Sequence, residues 1–324
     1  LFFQTVRFQI LLKIIVGSIF LYGTIKAVEN VNLIVNENEV LGIAGESGCG
    51  KSTTCMMISG LVKPSSGEIL YQDKRIDQFD SDEKRFYHSQ VQMIFQDPYE
   101  TLNPRFRVID TVAEGPRALK LWPENEIVSR VDDILNAVGL SPLKYAERYP
   151  HELSGGERQR VGIASALVME PQMVIADEPL SMLDVSIRAG ILVLLKNLAL
   201  ERHFSCVYVS HDLSILGHIA DRLMIMYLGQ AVEVGPTRDV IQNPKHPYTR
   251  ALISAVPVPD PRSRRAVPNI IGDISRPIDP PPGCRFTLRC PYSDETCSQT
   301  FLKLDMNQGD KHLTACHRQD ALDS

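Results

Sequence analysis

The sequence predicts an α/β fold built on a largely parallel sheet. Three short apolar runs, at residues 40–44, 173–176 and 206–209, each end in a polar loop, and segments with helical patterns lie between them. Such runs are typical of strands that are covered on both faces. Because ligands of open α/β sheets bind beyond the carboxyl ends of the strands, these polar loops are the first candidates for a functional site.

Helical periodicity dominates residues 98–166, where Val131, Ile134, Leu135 and Val138 have the spacing of one helix face. This pattern differs from the short apolar runs on either side of it. We therefore predict a helical subdomain inserted into the sheet domain.

A hairpin is predicted where the apolar runs 223–227 and 231–234 flank a turn at Gly229 and Gln230. We expect this hairpin to close the main domain at about residue 235. The chain beyond it is rich in proline, which predicts a long linker or a meandering tail.

Composition limits the possible classes of protein. The 324 residues suffice for one large domain and a smaller unit, and 44% hydrophobic with 23% charged residues indicate a folded globular chain. A net charge of −5 provides no positive field for a nucleic acid backbone, so no nucleic acid partner is expected. The apolar segment 8–22 contains Gln9 and Lys13 and is shorter than the roughly 20 residues that span a bilayer, which favours buried strands over a membrane anchor.

The first polar loop has the phosphate-loop pattern G-x4-G-K-S between a strand and a helical segment. Its glycines let backbone N–H groups converge on phosphate oxygens, Lys51 is expected to bridge the β- and γ-phosphates, and Ser52 to bind Mg²⁺. A chance glycine-rich turn is the alternative, and the loop alone does not separate kinases, GTPases and transporters. The predicted nucleotide-binding residues of this segment are Gly45, Ser47, Gly48, Gly50, Lys51, Ser52 and Thr53.

Two adjacent carboxylates, Asp177 and Glu178, follow the second apolar run. Charges at the end of a buried strand are costly without a cation to face. We expect Asp177 to hold Mg²⁺ through water and Glu178 to polarise the water that attacks the γ-phosphate. A solvated acidic turn is the alternative, and the nearby phosphate loop makes it less attractive.

Residues 153–160, Leu-Ser-Gly-Gly-Glu-Arg-Gln-Arg, resemble the signature motif of the ATP-binding-cassette (ABC) ATPases. Taken alone, Ser154, Gly155 and Gly156 could be only a helix N-cap and turn. They also offer a second cradle for an anion at a helix start. Two phosphate-binding motifs in one chain suggest that two chains sandwich each nucleotide.

The resemblance to ABC ATPases implies further nucleotide-site residues. Gln96 matches the glutamine that senses the metal ion and the γ-phosphate, and it is thereby a third expected Mg²⁺ ligand. His211 matches the switch histidine, and Asp184 ends a segment similar to the D-loop, with Met182 where the family more often has alanine. Tyr22 lies at the usual distance before the phosphate loop to stack on adenine. The implied cofactors are ATP and Mg²⁺.

Within this family the chain looks most like the oligopeptide/dipeptide importer group, on the basis of residues 96–105 and 243–252. This resemblance implies an ABC domain at 1–235 and a transporter-type C-terminal extension at 236–324. It also implies two transmembrane permease subunits, a second ATPase subunit in a heterodimer, an extracytoplasmic substrate-binding protein, and a peripheral location at the cytoplasmic face of the membrane. A nickel or other small-solute importer, and a soluble ABC ATPase outside transport, are the alternatives.

Four cysteines crowd the C-terminal extension in the pattern Cys284-x5-Cys290-x6-Cys297-x18-Cys316. Four thiolates suit zinc or an iron-sulfur cluster, and the close C-x2-4-C pairs that structural zinc usually uses are missing. These segments look like those that carry a four-iron, four-sulfur cluster in some members of the importer group. Zinc, unliganded structural thiols, and a redox sensor attached to an ATPase remain alternatives.

Overall fold

A computed structural model of the chain describes residues 3–9, 12–13, 24–256, 280, 282–304 and 311–319. The strands are β1 Phe3–Gln9, β2 Leu12–Lys13, β3 Thr24–Ile25, β4 Glu29–Val35, β5 Val40–Ala44, β6 Leu70–Tyr71, β7 Lys74–Arg75, β8 Val91–Ile94, β9 Met173–Asp177, β10 Ser205–Val209, β11 Arg222–Tyr227, β12 Gln230–Pro236 and β13 Leu313–Thr314. The helices are α1 Lys51–Ile58, α2 Ser81–Gln90, α3 Pro98–Thr101, α4 Val108–Ala118, α5 Glu124–Ala137, α6 Pro142–Tyr145, α7 Gly155–Leu167, α8 Val185–Arg202, α9 Leu213–Ile219, α10 Thr237–Gln242, α11 Pro247–Ala255 and α12 Glu295–Gln299. Short 3-10 turns cover Ile76–Gln78, Pro150–Glu152 and Thr287–Arg289.

The chain divides into two compact units, of which the first comprises residues 1–78 and 210–324. Its main strands follow the order β13, β12, β11, β5, with β5 and β11 parallel and the other neighbours antiparallel. Strands β1 and β4 form a separate antiparallel pair. Strand β5 leads through a loop into α1, so the predicted phosphate loop lies at the carboxyl end of a nearly fully buried strand.

The second unit comprises residues 79–209. Its three strands β8, β9 and β10 are parallel, with β9 in the middle. Every residue of β9 is buried, as expected for an apolar strand that is covered on both faces. Helices α4, α5 and α7 pack against one another in the same unit.

The apolar runs and the hairpin predicted from the sequence are confirmed. Each of the three runs forms a strand. Strand β5 pairs in parallel with β11 in the first unit, and β9 pairs in parallel with β10 in the second. Strands β11 and β12 form the predicted hairpin. The predicted helix face at Val131, Ile134 and Leu135 is buried in α5, and Val138 is buried at the end of that helix.

Part of the N-terminal segment and most of the proline-rich segment, including residues 14–23 and 257–279, lie outside the described residues. Of the helices that the structure describes, none is both long enough and apolar enough to cross a membrane.

A buried carboxylate joins the hairpin to the C-terminal extension. Glu233 of β12 is 0% exposed, and its two oxygens accept hydrogen bonds from the backbone N–H groups of Lys245 (2.7 Å) and His246 (2.9 Å). The ring Nε2 of His312 lies 2.7 Å from the same carboxylate, beside the pairing of β13 with β12. One acid therefore fixes the chain after the hairpin and also a segment almost 80 residues further on.

We predict that Glu233→Ala destabilises the first unit. One buried and one partly buried backbone donor and an imidazole would lose their acceptor, at a cost of about 3 kcal/mol or more in the free energy of unfolding. Urea unfolding followed by circular dichroism measures this change. Amide hydrogen exchange at Ala315, whose N–H donates to Val232, reports whether the tail stays docked.

The matched control for this prediction is Glu201→Ala, because Glu201 is an exposed acid at the end of α8. We expect it to change the free energy of unfolding by no more than about 0.5 kcal/mol. An unchanged urea midpoint in Glu233→Ala, together with unchanged protection of Ala315, would contradict the role assigned to Glu233.

Candidate functional site

The phosphate loop is held tightly against the rest of the first unit. Gly45 has φ of 154° and Gly50 has φ of 101°, a region that favours glycine. A Cβ on Gly45 would lie 2.2 Å from the carbonyl oxygen of Met226, and one on Gly50 would lie 2.3 Å from that of Ala27. No larger residue fits at either position without moving the backbone, so these two glycines set the path of the loop.

Lys51 begins α1 and lies folded over the loop, with 5% of its surface exposed. Its Nζ donates to the carbonyl oxygens of Gly45 (2.8 Å) and Glu46 (3.2 Å). The first N–H groups of α1, at Lys51, Ser52 and Thr53, belong to a helix start, where backbone donors lack intrahelical acceptors. This arrangement suits an anion that replaces the loop carbonyls as the partner of the lysine.

His211 lies at the same edge of the first unit as the phosphate loop. The N–H of the preceding residue, Ser210, donates to the carbonyl of Ile43 (3.1 Å), which is two residues before Gly45. His211 itself is exposed. The first unit thus brings the predicted switch histidine next to the carboxyl end of β5.

The acidic pair and Gln96 lie at one edge of the strands in the second unit. Asp177 is the last residue of β9 and is 5% exposed, and Glu178 follows it with φ of 44°. A non-glycine residue with positive φ is strained, and such strain is frequent at functional sites. Ile94 of β8 pairs with Ala176 of the parallel strand β9. Gln96 follows Ile94 by two residues, as Glu178 follows Ala176, so Gln96 leaves its strand at the same edge as the two acids.

The backbone at Glu178 is fixed by the neighbouring strand and by the turn that follows. Its N–H donates to the carbonyl of Val209 (3.0 Å), while its carbonyl accepts from the N–H and the hydroxyl of Ser181. Arg188 donates to the carbonyls of Leu183 (2.7 Å) and Ser181 (3.2 Å). These bonds hold the predicted D-loop, which ends at the exposed Asp184, as an ordered turn.

The predicted signature motif opens α7, with Ser154 at its N-cap. The hydroxyl and the N–H of Ser154 both donate to Glu157 (2.8 Å each), and the N–H of Glu157 lies 3.4 Å from the serine hydroxyl oxygen. Tyr145 donates to the other oxygen of Glu157 (2.7 Å) and is the main reason that the pKa of this acid falls to about 2. Glu157 was not among the predicted site residues, although the spacing Ser-x-x-Glu is the known signal of a capping box.

The start of α7 also packs against two other segments of the second unit. A Cβ on Gly156 would lie 2.8 Å from the side chain of Ile187 in α8. The guanidinium of Arg158 lies 4.0 Å above the ring of Tyr99, three residues after Gln96. The signature segment therefore touches both the region after Gln96 and the helix after the D-loop.

Tyr22, the predicted adenine-stacking residue, lies outside the described residues. The position of the adenine partner therefore stays a prediction from the sequence.

The four cysteines of the extension come together around one cavity. Cys284, Cys290, Cys297 and Cys316 all line it, and the N–H of Cys284 donates to the carbonyl of Cys297 (2.8 Å). Burial raises the pKa of Cys284 to about 12 and that of Cys290 to about 11, so both thiols are neutral near pH 7 without a cation.

The metal prediction is not supported by the side chains as they lie. In the part of the chain that the structure describes, no three His, Cys, Asp or Glu side chains are arranged to hold a metal ion.

Comparison with known proteins agrees with this organisation. Residues 28–181 match the family model described as ABC transporter, and residues 232–297 match the one described as oligopeptide/dipeptide transporter, C-terminal region. The oligopeptide transport ATP-binding protein OppF of Escherichia coli is 44% identical over 302 residues, which cover 92% of this chain and 90% of that protein. AppF of Bacillus subtilis, also named an oligopeptide transport ATP-binding protein, is 40% identical and covers 91% of this chain and 90% of its own length.

Solved ABC cassettes share the fold. The dimeric post-hydrolysis state of the cassette MJ0796, bound to ADP and phosphate, aligns with a TM-score of 0.63 at 28% identity, covering 73% of this chain and 98% of that one. CbiO1 from Clostridium perfringens, part of an ABC transporter complex, aligns with a TM-score of 0.63 at 29% identity, covering 75% of this chain and 92% of that one. The fold, the phosphate loop, the signature segment and these similarities together show that the chain belongs to the ATP-binding proteins of the ABC transporter family, in the group that carries the oligopeptide/dipeptide transporter C-terminal region.

Proposed function

We propose that this ABC ATPase hydrolyses ATP to ADP and phosphate in order to drive import of oligopeptides or dipeptides through two membrane permease subunits. The observation that carries the proposal is the 44% identity to OppF, which extends over 92% of the chain and so includes both the ATPase motifs and the extension. The phosphate loop and the acidic pair supply the chemistry that ATP hydrolysis requires.

The phosphate loop binds the triphosphate. Backbone N–H groups of the loop and of the start of α1 cradle the phosphates, and Lys51 exchanges its contacts with the loop carbonyls for the β- and γ-phosphates. The residues of this cradle are Gly45, Ser47, Gly48, Gly50, Lys51, Ser52 and Thr53. Ser52, Asp177 and Gln96 are the residues that would hold Mg²⁺, directly or through water. The bound ion would neutralise the charge that develops on the phosphates.

Glu178 acts on the attacking water. Its strained backbone is held by the bond from its N–H to Val209, so the point from which the side chain extends is fixed. In this mechanism Glu178 polarises the water as a general base, and His211 contacts the γ-phosphate and reports its presence. Both residues follow the carboxyl ends of strands, where ligands of α/β folds bind.

The signature segment serves the nucleotide of a second chain. Ser154, Gly155 and Gly156 form a helix start whose N-cap is bonded to Glu157, and Asp184 lies in the ordered D-loop. The related cassette MJ0796 is dimeric in its post-hydrolysis state. For this chain we propose a heterodimer with a second ABC ATPase, at the cytoplasmic face of the membrane and supplied by an extracytoplasmic peptide-binding protein.

Two structural assignments complete the proposal. Residues 1–235 form the ABC domain, with its helical subdomain at about 98–166, and residues 236–324 form the extension. Tyr22 stacks on adenine.

The extension holds a four-iron, four-sulfur cluster in our proposal. In support, the donors are four thiols that line one cavity, and four cysteine thiolates are the ligand set that such clusters use. The cluster would cross-link segments that have few apolar residues of their own to pack. Its binding must release the protons that the buried thiols otherwise keep.

The first test changes Glu178 to glutamine. Glu178→Gln keeps the shape of the side chain and removes the base, so ATP turnover by the purified transporter should fall by about 100-fold or more while ATP binding persists. Phosphate release and binding of a fluorescent ATP analogue are measured side by side. Glu201→Gln is the control and should hydrolyse ATP at the wild-type rate; wild-type turnover in Glu178→Gln would refute the assignment.

The second test separates the cap function of Ser154 from its role toward a second nucleotide. Ser154→Asp preserves a good N-cap but places an anion where the phosphate should lie, and Ser154→Arg blocks the cradle. Both variants should bind ATP through their own phosphate loop yet lose ATP-dependent association with the second ATPase, measured by analytical ultracentrifugation. Ser154→Thr should associate normally. If Ser154→Asp and Ser154→Arg associated like the wild type, the nucleotide sandwich would be wrong.

The third test concerns the cysteines. Protein purified without oxygen should contain iron and inorganic sulfide, and the double variant Cys290→Ser, Cys297→Ser should lose both. The double variant should still bind ATP, with a Kd raised by no more than about tenfold. Ser293→Ala is the matched control, because Ser293 lines the same cavity and carries no thiol. Stoichiometric zinc without sulfide, or protein free of any metal, would reject the cluster.

A further inference from the structure

Glu46, the second residue of the phosphate loop, is held from two sides by the C-terminal extension. Its N–H donates to the hydroxyl oxygen of Tyr248 in α11 (2.9 Å). Its carboxylate accepts two contacts from Nη1 of Arg289, at 3.0 and 3.3 Å. Both partners lie beyond the hairpin, and Arg289 is 243 residues from Glu46 in sequence.

Arg289 is itself fixed in place. It ends the 3-10 turn Thr287–Arg289, immediately before Cys290, and is 9% exposed. Its Nη1 lies 3.4 Å from the hydroxyl of Tyr227, and its guanidinium carbon lies 5.9 Å from the ring centre of Phe286. An arginine held in this way has few other positions open to it.

The aromatic neighbours of Arg289 form one packed group. The ring centres of Tyr227 and Tyr248 lie 4.7 Å apart, and that of Phe286 lies 5.2 Å from Tyr227 and 5.4 Å from Tyr248. Tyr227 comes from the ATPase hairpin, whereas Tyr248 and Phe286 come from the extension. The group therefore fixes the extension against the strand that also contacts Gly45.

A carboxylate in a phosphate-binding loop opposes the function of that loop. Like charges repel over several ångströms, and the repulsion is strong where water is partly excluded. The pairing with Arg289 neutralises Glu46 and directs its carboxylate toward the extension. The bond from the Glu46 N–H to Tyr248 keeps the backbone of the loop in the same position.

We propose that Arg289 is a positioning residue of the nucleotide site, which holds and neutralises Glu46 so that the phosphate loop can bind ATP tightly. The inference rests on the proposed nucleotide site. It makes ATP affinity depend on the folded state of the cysteine-bearing extension, because Arg289 directly precedes Cys290.

The experiment compares ATP dissociation constants and steady-state kinetics for variants of Arg289 and Glu46 in the complete transporter. Arg289→Gln should raise the Kd and the KM for ATP by about tenfold, with kcat changed by less than about threefold. Arg289→Lys keeps the charge and should remain within about threefold of the wild type. The double variant Glu46→Gln, Arg289→Gln removes the unpaired carboxylate and should return the Kd to within about threefold of the wild type.

This rescue distinguishes an electrostatic role from a merely structural one. If Arg289 only stabilised the fold, the double variant would bind ATP no better than Arg289→Gln, and the proposal would be overturned. Arg75→Gln is the matched control, since Arg75 pairs with Asp77 (2.8 Å) on the exposed surface of the same unit, and its Kd should not change. If Arg289→Gln does not fold, the single variant Glu46→Gln tests the proposal instead. We expect it to bind ATP as tightly as the wild type or more tightly, and weaker binding of ATP would contradict the proposal.

Lys51→Ala tests the underlying site in the same assay. Loss of ATP binding in Lys51→Ala together with wild-type binding in Arg289→Gln would reject this inference alone. Retained ATP binding in Lys51→Ala would reject the proposed nucleotide site, and the inference with it.

Discussion

The rest of the first unit depends on how closely the phosphate loop packs against its neighbours. Gly45 and Gly50 leave no room for a Cβ beside the carbonyl oxygens of Met226 and Ala27. Because protein interiors are close-packed, such a fit leaves the loop essentially one path. That path places the start of α1 and Lys51 where they can meet an anion, and it brings Glu46 within reach of the extension.

The extension makes direct contacts with the hairpin and with the phosphate loop. Glu233 bonds an early and a late segment of the extension to the hairpin, and Arg289 and Tyr248 contact the phosphate loop. Glu233 is a buried acid with several donors, and such a network is costly to disturb. The contacts of the extension with the hairpin and with the phosphate loop should therefore form and break together. These contacts are the basis of our proposal that a segment with cysteines, and with none of the nucleotide motifs, affects nucleotide binding.

The sequence was sufficient to predict what local patterns encode. The apolar strand runs, the hairpin, the helix face of α5 and the family itself followed from spacing and from short motifs. Long-range pairs such as Arg289 with Glu46 could not be predicted, because no local pattern links residues so far apart in the chain. The capping bonds of Glu157 are visible in its spacing from Ser154. The iron-sulfur cluster stays a prediction, because the four thiols line one cavity but no three His, Cys, Asp or Glu side chains of the described residues are arranged to hold a metal ion.

Transport of peptide at the expense of ATP is the central claim, and reconstitution tests it most directly. The chain, its two permeases and the second ATPase are placed in liposomes with the binding protein inside, so that the import direction leads outward to a solution that contains ATP. Labelled oligopeptide enclosed in the vesicles should leave them only with hydrolysable ATP outside, while enclosed Ni²⁺ should stay. ATP-driven movement of Ni²⁺ without movement of peptide, or ATP hydrolysis that moves neither, would contradict the account.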